Sequence, residues 1–331
     1  MWKIVQCAVQ GRSHIKADIP CQDKTFVLVK NEVYVMALAD GAGSAKLSHF
    51  GAECVTKFIC QELSENFDKL FDSDDGIAVK KELTSKIWIA LDEIARKYES
   101  SIQEFASTLM FVAVKDDRFI IAHLGDGVIG YTKNDELKVA SEPDNGEFAN
   151  TTIFTTSKNS IMYFKLLKGT LGDINGFILM SDGTSAALYN KSKKQLSNGI
   201  KKIMNLWKYV SSEHIEHMLN DSFNNVIRQT TTDDCSICIM SLANTEFQGY
   251  CALDLQEKAK LLHIKSDKSL KRQIERYDTI LTNLTDEKDL KYISKLIHLK
   301  PKYTKKYVNK LLNFNFIQHY KGKYRSIIMI S

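Results

Sequence analysis

Short runs of β-branched and aromatic residues, joined in pairs by only two or three turn residues, limit the possible fold of this chain more than any other pattern. Such runs lie at 25–30, 33–39, 108–115, 118–124, 127–132, 151–156, 161–166, 176–180 and 236–242, and residues of these types suit a pleated, half-buried surface. Lys30-Asn31-Glu32 and Lys115-Asp116-Asp117 are connections too short for a crossover, so the strands they join form antiparallel hairpins. Two amphipathic helices interrupt the strands. In 48–64 the apolar stripe is Phe50, Cys54, Val55, Phe58, Ile59 and Leu63; in 80–98 it is Leu83, Ile87, Leu91, Ile94 and Tyr98. Further helices are expected between 193 and 226. Each stripe must cover a sheet face, and sheets packed as a sandwich with helices outside are the economical solution. The expected fold class is α+β: a four-layer αββα sandwich of antiparallel sheets flanked by helices over residues 1–245.

Composition supports a folded, non-membrane chain. Apolar residues make up 44% of the 331 and charged residues 26%. The longest clear apolar run, Val33 to Ala39, is strand-sized and far below the roughly 20 residues of a membrane span. The N-terminus has neither a long apolar core nor a small-residue cleavage site, which argues for a cytoplasmic chain. Seven cysteines form no disulfide framework, and six of them (Cys7, Cys54, Cys60, Cys235, Cys238 and Cys251) sit in apolar surroundings, as reduced core thiols do. Cys235-x-x-Cys238 has the spacing of a redox or zinc motif. It falls in a strand, however, where an odd separation sends the two side chains to opposite faces.

The net charge of +5 is unevenly placed. Residues 254–331 hold 18 Lys and Arg against 8 Asp and Glu, a net of +10, which leaves the first 253 residues at −5. A domain boundary is therefore expected near residue 253, with a linker at 246–265 and a separate unit at 266–331. In that unit Leu270, Ile274, Tyr277, Leu281 and Leu284 mark one helix, Leu290, Ile293 and Ile297 a second, and Tyr303, Tyr307, Val308 and Leu311 a third after Pro301. A hairpin around Lys321-Gly322-Lys323 follows. Three helices and a hairpin are the parts of a winged helix. Lys302, Lys305, Lys306 and Lys310 on the third helix, with Lys321, Lys323 and Arg325 on the hairpin, are the footprint of phosphate-backbone contact. A protein-docking module and a solvated lysine-rich face remain open alternatives, and a single Arg in 288–331 speaks against extensive base readout.

Chemistry is concentrated in aspartates at strand ends beside glycines. Val35–Ala39 runs into Asp40-Gly41-Ala42-Gly43-Ser44, Phe119–Leu124 into Gly125-Asp126-Gly127, and Phe177–Met180 into Ser181-Asp182-Gly183; Thr231-Thr232-Asp233-Asp234 precedes the strand at Ser236–Leu242. One Asp-Gly after a strand is an ordinary turn. Four of them, each beside a strand that reads as buried, go beyond turn chemistry. Carboxylates converging at strand ends repel one another unless a cation lies between them, and hard ions such as Mg²⁺ and Mn²⁺ take oxygen ligands of this kind.

In this order and spacing the motifs resemble the metal-dependent protein phosphatases of the 2C type, in particular the bacterial branch whose first motif reads Pro-Cys-Gln-Asp, here Pro20-Cys21-Gln22-Asp23. Asp40-Gly41-Ala42-Gly43-Ser44-Ala45, Ser107-Thr108-Leu109, Gly125-Asp126-Gly127, Gly146–Thr151, Ser181-Asp182-Gly183 and Asp233-Asp234-Cys235-Ser236 complete the set, which covers roughly residues 4–243 and not the tail. The resemblance implies a serine/threonine protein phosphatase acting on phosphoserine and phosphothreonine proteins, with a cognate kinase as one candidate partner. It implies two Mg²⁺ or Mn²⁺ ions and a weakly held third. Asp40 would bridge two ions with the Gly41 carbonyl on one; Asp182 and Asp233 would hold the second; Asp126 would serve the third; Asp23 would orient water from outside the ligand shell. A metal-bridging hydroxide would then attack phosphorus directly.

Three positions depart from that pattern. Ala42 stands where many relatives carry a histidine, which also leaves open a catalytically inactive phosphatase-like scaffold; His49 is either a substitute proton donor or an ordinary helix-start residue. Gln22 replaces a common Glu. The usual phosphate-binding arginine is absent from its expected offset, so Arg12 and His14 either take that role or simply cap the exit of the first strand. Glu147 and Asn150 lie where relatives carry a flap, and either contact substrate or sit in a solvated loop.

Overall fold

The computed structural model of the protein describes residues 2–134, 136–144, 152–242, 250, 253–314 and 316–327. The chain divides into two units, one of residues 2–201 and 216–242, the other of residues 202–215 with the described residues beyond 243. The larger unit begins with β1 (Trp2–Val9), α1 (Arg12–Ala17), β2 (Lys24–Lys30), β3 (Val33–Ala39), α2 (Ser48–Asp72) and α3 (Gly76–Lys97). It continues through β4 (Leu109–Lys115), β5 (Arg118–Leu124), β6 (Val128–Lys133), β7 (Glu136–Ser141), α4 (Ser160–Tyr163), β8 (Lys165–Thr170), β9 (Ile174–Met180) and α5 (Asp182–Leu188). The two-residue strands β10 (Tyr189–Asn190) and β11 (Gln195–Leu196) precede α6 (Asn198–Trp207) and α7 (Ser212–Asn225), whose residues 202–215 belong to the smaller unit, and then β12 (Cys235–Leu242).

Two five-stranded antiparallel sheets result, ordered β2-β3-β4-β5-β8 and β1-β12-β9-β6-β7. Side chains alternate along a strand, and β3 shows the consequence. Val35, Ala37 and Ala39 enter a core with Val55, Ile59 and Leu63 of α2 and Leu83 and Ile87 of α3. Met36 and Leu38 enter a second core with Phe177 and Leu179 of β9 and Cys238 and Met240 of β12. Both faces of β3 are covered, which is why 33–39 reads as an unbroken apolar run. On the outer face of the second sheet α7 lies against β1, where the Cys7 thiol donates to Asn220 Oδ1 at 3.3 Å and Leu219 and Phe223 are buried. The layers are therefore helix, sheet, sheet, helix. Cys238 faces the inter-sheet core and Cys235 the opposite side of β12, and all six described cysteines are free; Cys251 lies outside the described residues.

Several elements differ from the sequence-based expectation. Residues 152–156 are a loop and 160–163 a helical turn, not strands, and β8 starts only at Lys165. Ile153 and Phe164 nonetheless enter the α2 core, so the apolar pattern there reports loop packing rather than strand pairing. β7 escapes the pattern because it is an edge strand with mostly half-exposed residues. α2 runs on to Asp72 past a break at Asn66, with Phe67 and Leu70 extending its buried stripe.

The smaller unit contains α8 (Leu255–Leu261), α9 (Leu270–Asn283), β13 (Lys288–Asp289), α10 (Leu290–Leu296), α11 (Pro301–Asn313), β14 (Ile317–Tyr320) and β15 (Lys323–Ser326), with sheet order β13-β15-β14. Its core joins Leu262, Ile274, Tyr277, Leu281, Ile293, Val308, Leu311 and Phe316, and Leu206 and Tyr209 pack on it. The stretch 246–265, expected to be a linker, holds α8, which starts at an Asp254/Glu257 capping box and buries Ala259 in this core. Tyr303, expected on the buried stripe of its helix, is 59% exposed. Among the described residues no helix is long and apolar enough to cross a membrane.

Candidate active site

Strand register gathers the scattered aspartates. Lys24 pairs with Ala39, so Asp23 and Asp40 lie just past the same end of the β2–β3 hairpin. Leu38 pairs with Met110 and Leu109 with Leu124, which brings the exit of β5 to that end as well. Gly125-Asp126-Gly127 then carries the chain across to β6 in the other sheet. There Met180 pairs with both Val128 and Ile237, so Asp182 after β9 and Asp233 before β12 arrive beside the same turn. Five carboxylates from five chain segments thus meet at one end of the sandwich.

Local contacts fix each one. Thr108 donates its N–H to the Asp40 carbonyl at 2.8 Å, and its hydroxyl accepts from the Asp40 N–H at 2.9 Å. The Gly41 N–H donates to the Gln22 carbonyl at 3.2 Å, tying the Asp40 corner to the segment that carries Asp23. Ser181 links Asp182 to β12 by accepting the Ser236 N–H at 3.0 Å. Thr152 donates to Asp126 Oδ2 at 2.7 Å. Two glycines are there for closeness. A Cβ on Gly183 would stand 2.1 Å from the Asp234 carbonyl oxygen, and Gly125 combines a φ of +121° with space for a Cβ only 2.5 Å from Thr108.

Asp40, Gly41, Asp126, Asp182 and Asp233 line a cleft of about 270 Å³, together with Ser13, His14, Thr108 and Phe154. Asp23 lies buried, with both carboxylate oxygens lacking a hydrogen-bond partner. Burial pushes its pKa up to about 7; the nearby Ser236 and Ser181 hydroxyls offset part of that rise without standing in full hydrogen-bonding geometry, and the Asp234 charge adds to it. Burial also holds Asp40 well above the usual carboxylate range, reinforced by the charges of Asp23, Asp182, Asp233 and Asp126. Asp182 is pushed up to about 6 by burial and then by Asp126 and Asp233. Carboxylates this crowded and desolvated either hold protons or share cations.

The donor set fits hard divalent ions. It is all oxygen and it lines one cleft, with the unpartnered oxygens of buried Asp23 outside that set. Among the described residues no three acidic, histidine or cysteine groups already stand as a closed ligand cage.

The remaining expected residues separate. His14 lines the cleft, with Nδ1 2.9 Å from Asp234 Oδ2 though out of hydrogen-bonding alignment. Arg12 does not line it, and its Nε donates to the Thr231 carbonyl at 3.0 Å. His49 rests on the Phe50 ring at 4.1 Å and does not line the cleft. Ala42 packs with Ala45, Ala106 and Phe154, so an apolar contact occupies the place of a histidine. Glu147 and Asn150 lie outside the described residues. Sequence reasoning assigned no role to Asp234. Its buried carboxylate accepts the Gly11 and Gln22 N–H groups, both at 2.6 Å, and so latches the segment bearing His14 and Asp23 onto β12. The doubled Asp233-Asp234 was the only available signal.

Comparison with known proteins agrees with this geometry. The chain is 25% identical over 195 residues to serine/threonine-protein phosphatase 3 of Escherichia coli (strain K12), covering 57% of this chain and 76% of that one. Its fold is shared with a crystal structure of a bacterial serine phosphatase, at a TM-score of 0.53, 16% identity, and coverage of 74% of this chain and 100% of that one. The catalytic domain of the serine threonine protein phosphatase PstP, in complex with two manganese ions, gives a TM-score of 0.50 at 14% identity, covering 73% and 99%. At these identities the structural likeness is one of fold. The family model for protein phosphatase 2C matches residues 10–224, a span that takes in Asp23, Asp40, Asp126 and Asp182. A match over most of the chain, containing four of the five carboxylates that the register brings together, places this chain in the protein phosphatase 2C family.

Proposed function

We propose that the larger unit is a Mg²⁺- or Mn²⁺-dependent phosphatase that hydrolyses phosphoserine and phosphothreonine in proteins. The observation that carries this reading is the convergence of Asp40, Asp126, Asp182 and Asp233, from four separate segments, on one cleft, where burial and then the neighbouring carboxylate charges hold Asp40 above the usual range. Asp40, the Gly41 carbonyl, Asp182 and Asp233 would hold two ions, and Asp126 a looser third. Bound there, such ions would supply an acidified water for in-line attack at phosphorus and positive charge against the developing phosphoryl charge. Asp23, buried with unpartnered oxygens, would accept hydrogen bonds from water and hold its orientation. His14, beside Asp234 on the cleft wall, is the better placed of the two candidates for a phosphate oxygen. Arg12 instead braces the Thr231 carbonyl two residues before Asp233.

The test is hydrolysis of p-nitrophenyl phosphate and of a phosphothreonine peptide with and without Mn²⁺. Asp40→Ala and Asp182→Ala should each lower kcat by at least about 100-fold at saturating Mn²⁺. Full activity in either variant would sink the site. Phosphoproteins are the expected partners, a kinase of matching specificity among them. The free, largely buried thiols are compatible with a cytoplasmic setting.

We read the smaller unit as a winged helix. Its order of helix, short strand, helix, helix and two-stranded wing, with β13 pairing β15, supports that reading.

A further inference from the structure

Helix α11 of the smaller unit presents a face with no internal use. Thr304, Tyr307, Val308 and Leu311 turn inward, while Lys302, Tyr303, Lys305, Lys306 and Asn309 are exposed. Positions 302, 305, 306 and 309 follow three- and four-residue spacing, so they form one stripe roughly 10 Å long. Among the described residues none of Lys302, Lys305 and Lys306 has a carboxylate partner. This differs from Lys310, whose Nζ donates to the His263 carbonyl at 3.1 Å, and from Arg325, whose Nε donates to the Thr285 carbonyl at 3.2 Å. The β14–β15 turn adds Lys321, 5.1 Å above the exposed Tyr320 ring, and Lys323, 3.8 Å from Glu287. Tyr303 at 59% and Tyr320 at 62% exposure stand among these lysines.

We propose that this surface binds double-stranded nucleic acid, with α11 in the major groove and the β14–β15 turn on the flanking backbone. A helix roughly 10–12 Å in diameter fits a groove about 12 Å wide, and lysines serve phosphates whereas Tyr303 offers an apolar contact to base edges. Lysine without arginine on the helix makes the interaction mostly electrostatic and weakly selective for sequence. An acidic protein segment is the competing occupant. It is less favoured because the lysines form a narrow stripe regularly spaced along one helix, which suits the evenly spaced charges of a phosphate backbone.

Fluorescence anisotropy of the full-length protein with a mixed-sequence duplex of about 20 base pairs tests this. Contacts from Lys302, Lys305, Lys306, Lys321 and Lys323 would give a slope of log K against log salt of about −4.5. The triple variant Lys302→Ala, Lys305→Ala, Lys306→Ala should bind on the order of 100-fold more weakly at 0.1 M salt and flatten the slope by about 2.7, with phosphopeptide hydrolysis unchanged. No binding at 50 mM salt would overturn the proposal, and so would unchanged affinity in the triple variant. Displacement of the duplex by polyglutamate at equal charge concentration would overturn it too and reassign the face to an acidic protein. None of these results bears on the phosphatase reading, which has its own assay.

Discussion

Asp234→Ala should destabilise the larger unit more than loss of any metal-facing aspartate does in metal-free protein. The Asp234 carboxylate accepts two buried N–H groups at 2.6 Å, from Gly11 and Gln22. Hydrogen bonds to a charged group contribute roughly 1.5–3 kcal/mol each, and a buried N–H left unpaired costs a similar amount. Loss of both comes to about 4 kcal/mol, a large share of the roughly 5–15 kcal/mol that holds a domain folded. One term opposes this, because Asp234 is a like charge that helps raise the Asp23 pKa to about 7. At pH 6 Asp23 is already mostly protonated, so that relief is small and the lost bonds decide the sign. Thermal unfolding at pH 6 in EDTA, followed by circular dichroism, should show Tm lower by about 10 °C. Asp234→Asn keeps one acceptor and should lose about half as much. A Tm for Asp234→Ala within about 1 °C of the parent would refute the latch, and equal loss in the two variants would refute the account of two separate bonds.

Other outcomes follow from the same geometry. Asp23 and Asp182 have folded pKa values of about 7 and about 6 against an ordinary 3.8. Folded protein therefore binds more protons than unfolded protein between about pH 4 and pH 7, and in EDTA its stability should fall as pH rises through that window. Saturating Mn²⁺ should raise Tm at pH 8 and flatten the trend; unfolding curves at pH 5 and pH 8, with and without metal, check it. Gly183→Ala places a Cβ 2.1 Å from the Asp234 carbonyl oxygen, so α5 and β12 must part. It should cost a few kcal/mol in urea unfolding and lower activity at least tenfold, because Asp182 and Asp233 separate. Metal-free Asp40→Asn should be as stable as the parent or more so at pH 8, since it removes a charge facing four others, while phosphopeptide hydrolysis by the same variant in saturating Mn²⁺ is abolished.

The layers, the hairpins and the α2 and α3 stripes were legible because burial on one face or two leaves a direct mark on residue periodicity. Loop burial leaves a misleading one: Ile153 and Phe164 look like strand residues because they are apolar, yet they reach the core from a loop and a helix end. β7 shows the reverse, an edge strand held by pairing with β6 and carrying little apolar pattern. In the smaller unit the helix stripes were visible, whereas α8 was hidden in a polar stretch despite its capping box.

The aspartates at 40, 126, 182 and 233 announced themselves by their repeated place at strand ends, a local property that sequence carries in full, whereas Asp23 was visible only through the Pro20-Cys21-Gln22-Asp23 motif of the resemblance. Which of the nearby polar groups face the cleft was a tertiary matter. Arg12 and His14 are two residues apart, yet one braces a backbone carbonyl and the other lines the cleft. Asp233 and Asp234 are adjacent, and only the second is turned inward to hold the Gly11 and Gln22 amides. Sequence fixes residue type and period, and with them layers and candidate ligands. The direction of a single side chain depends on contacts with segments as far away as 223 positions in the chain, and packing alone sets those.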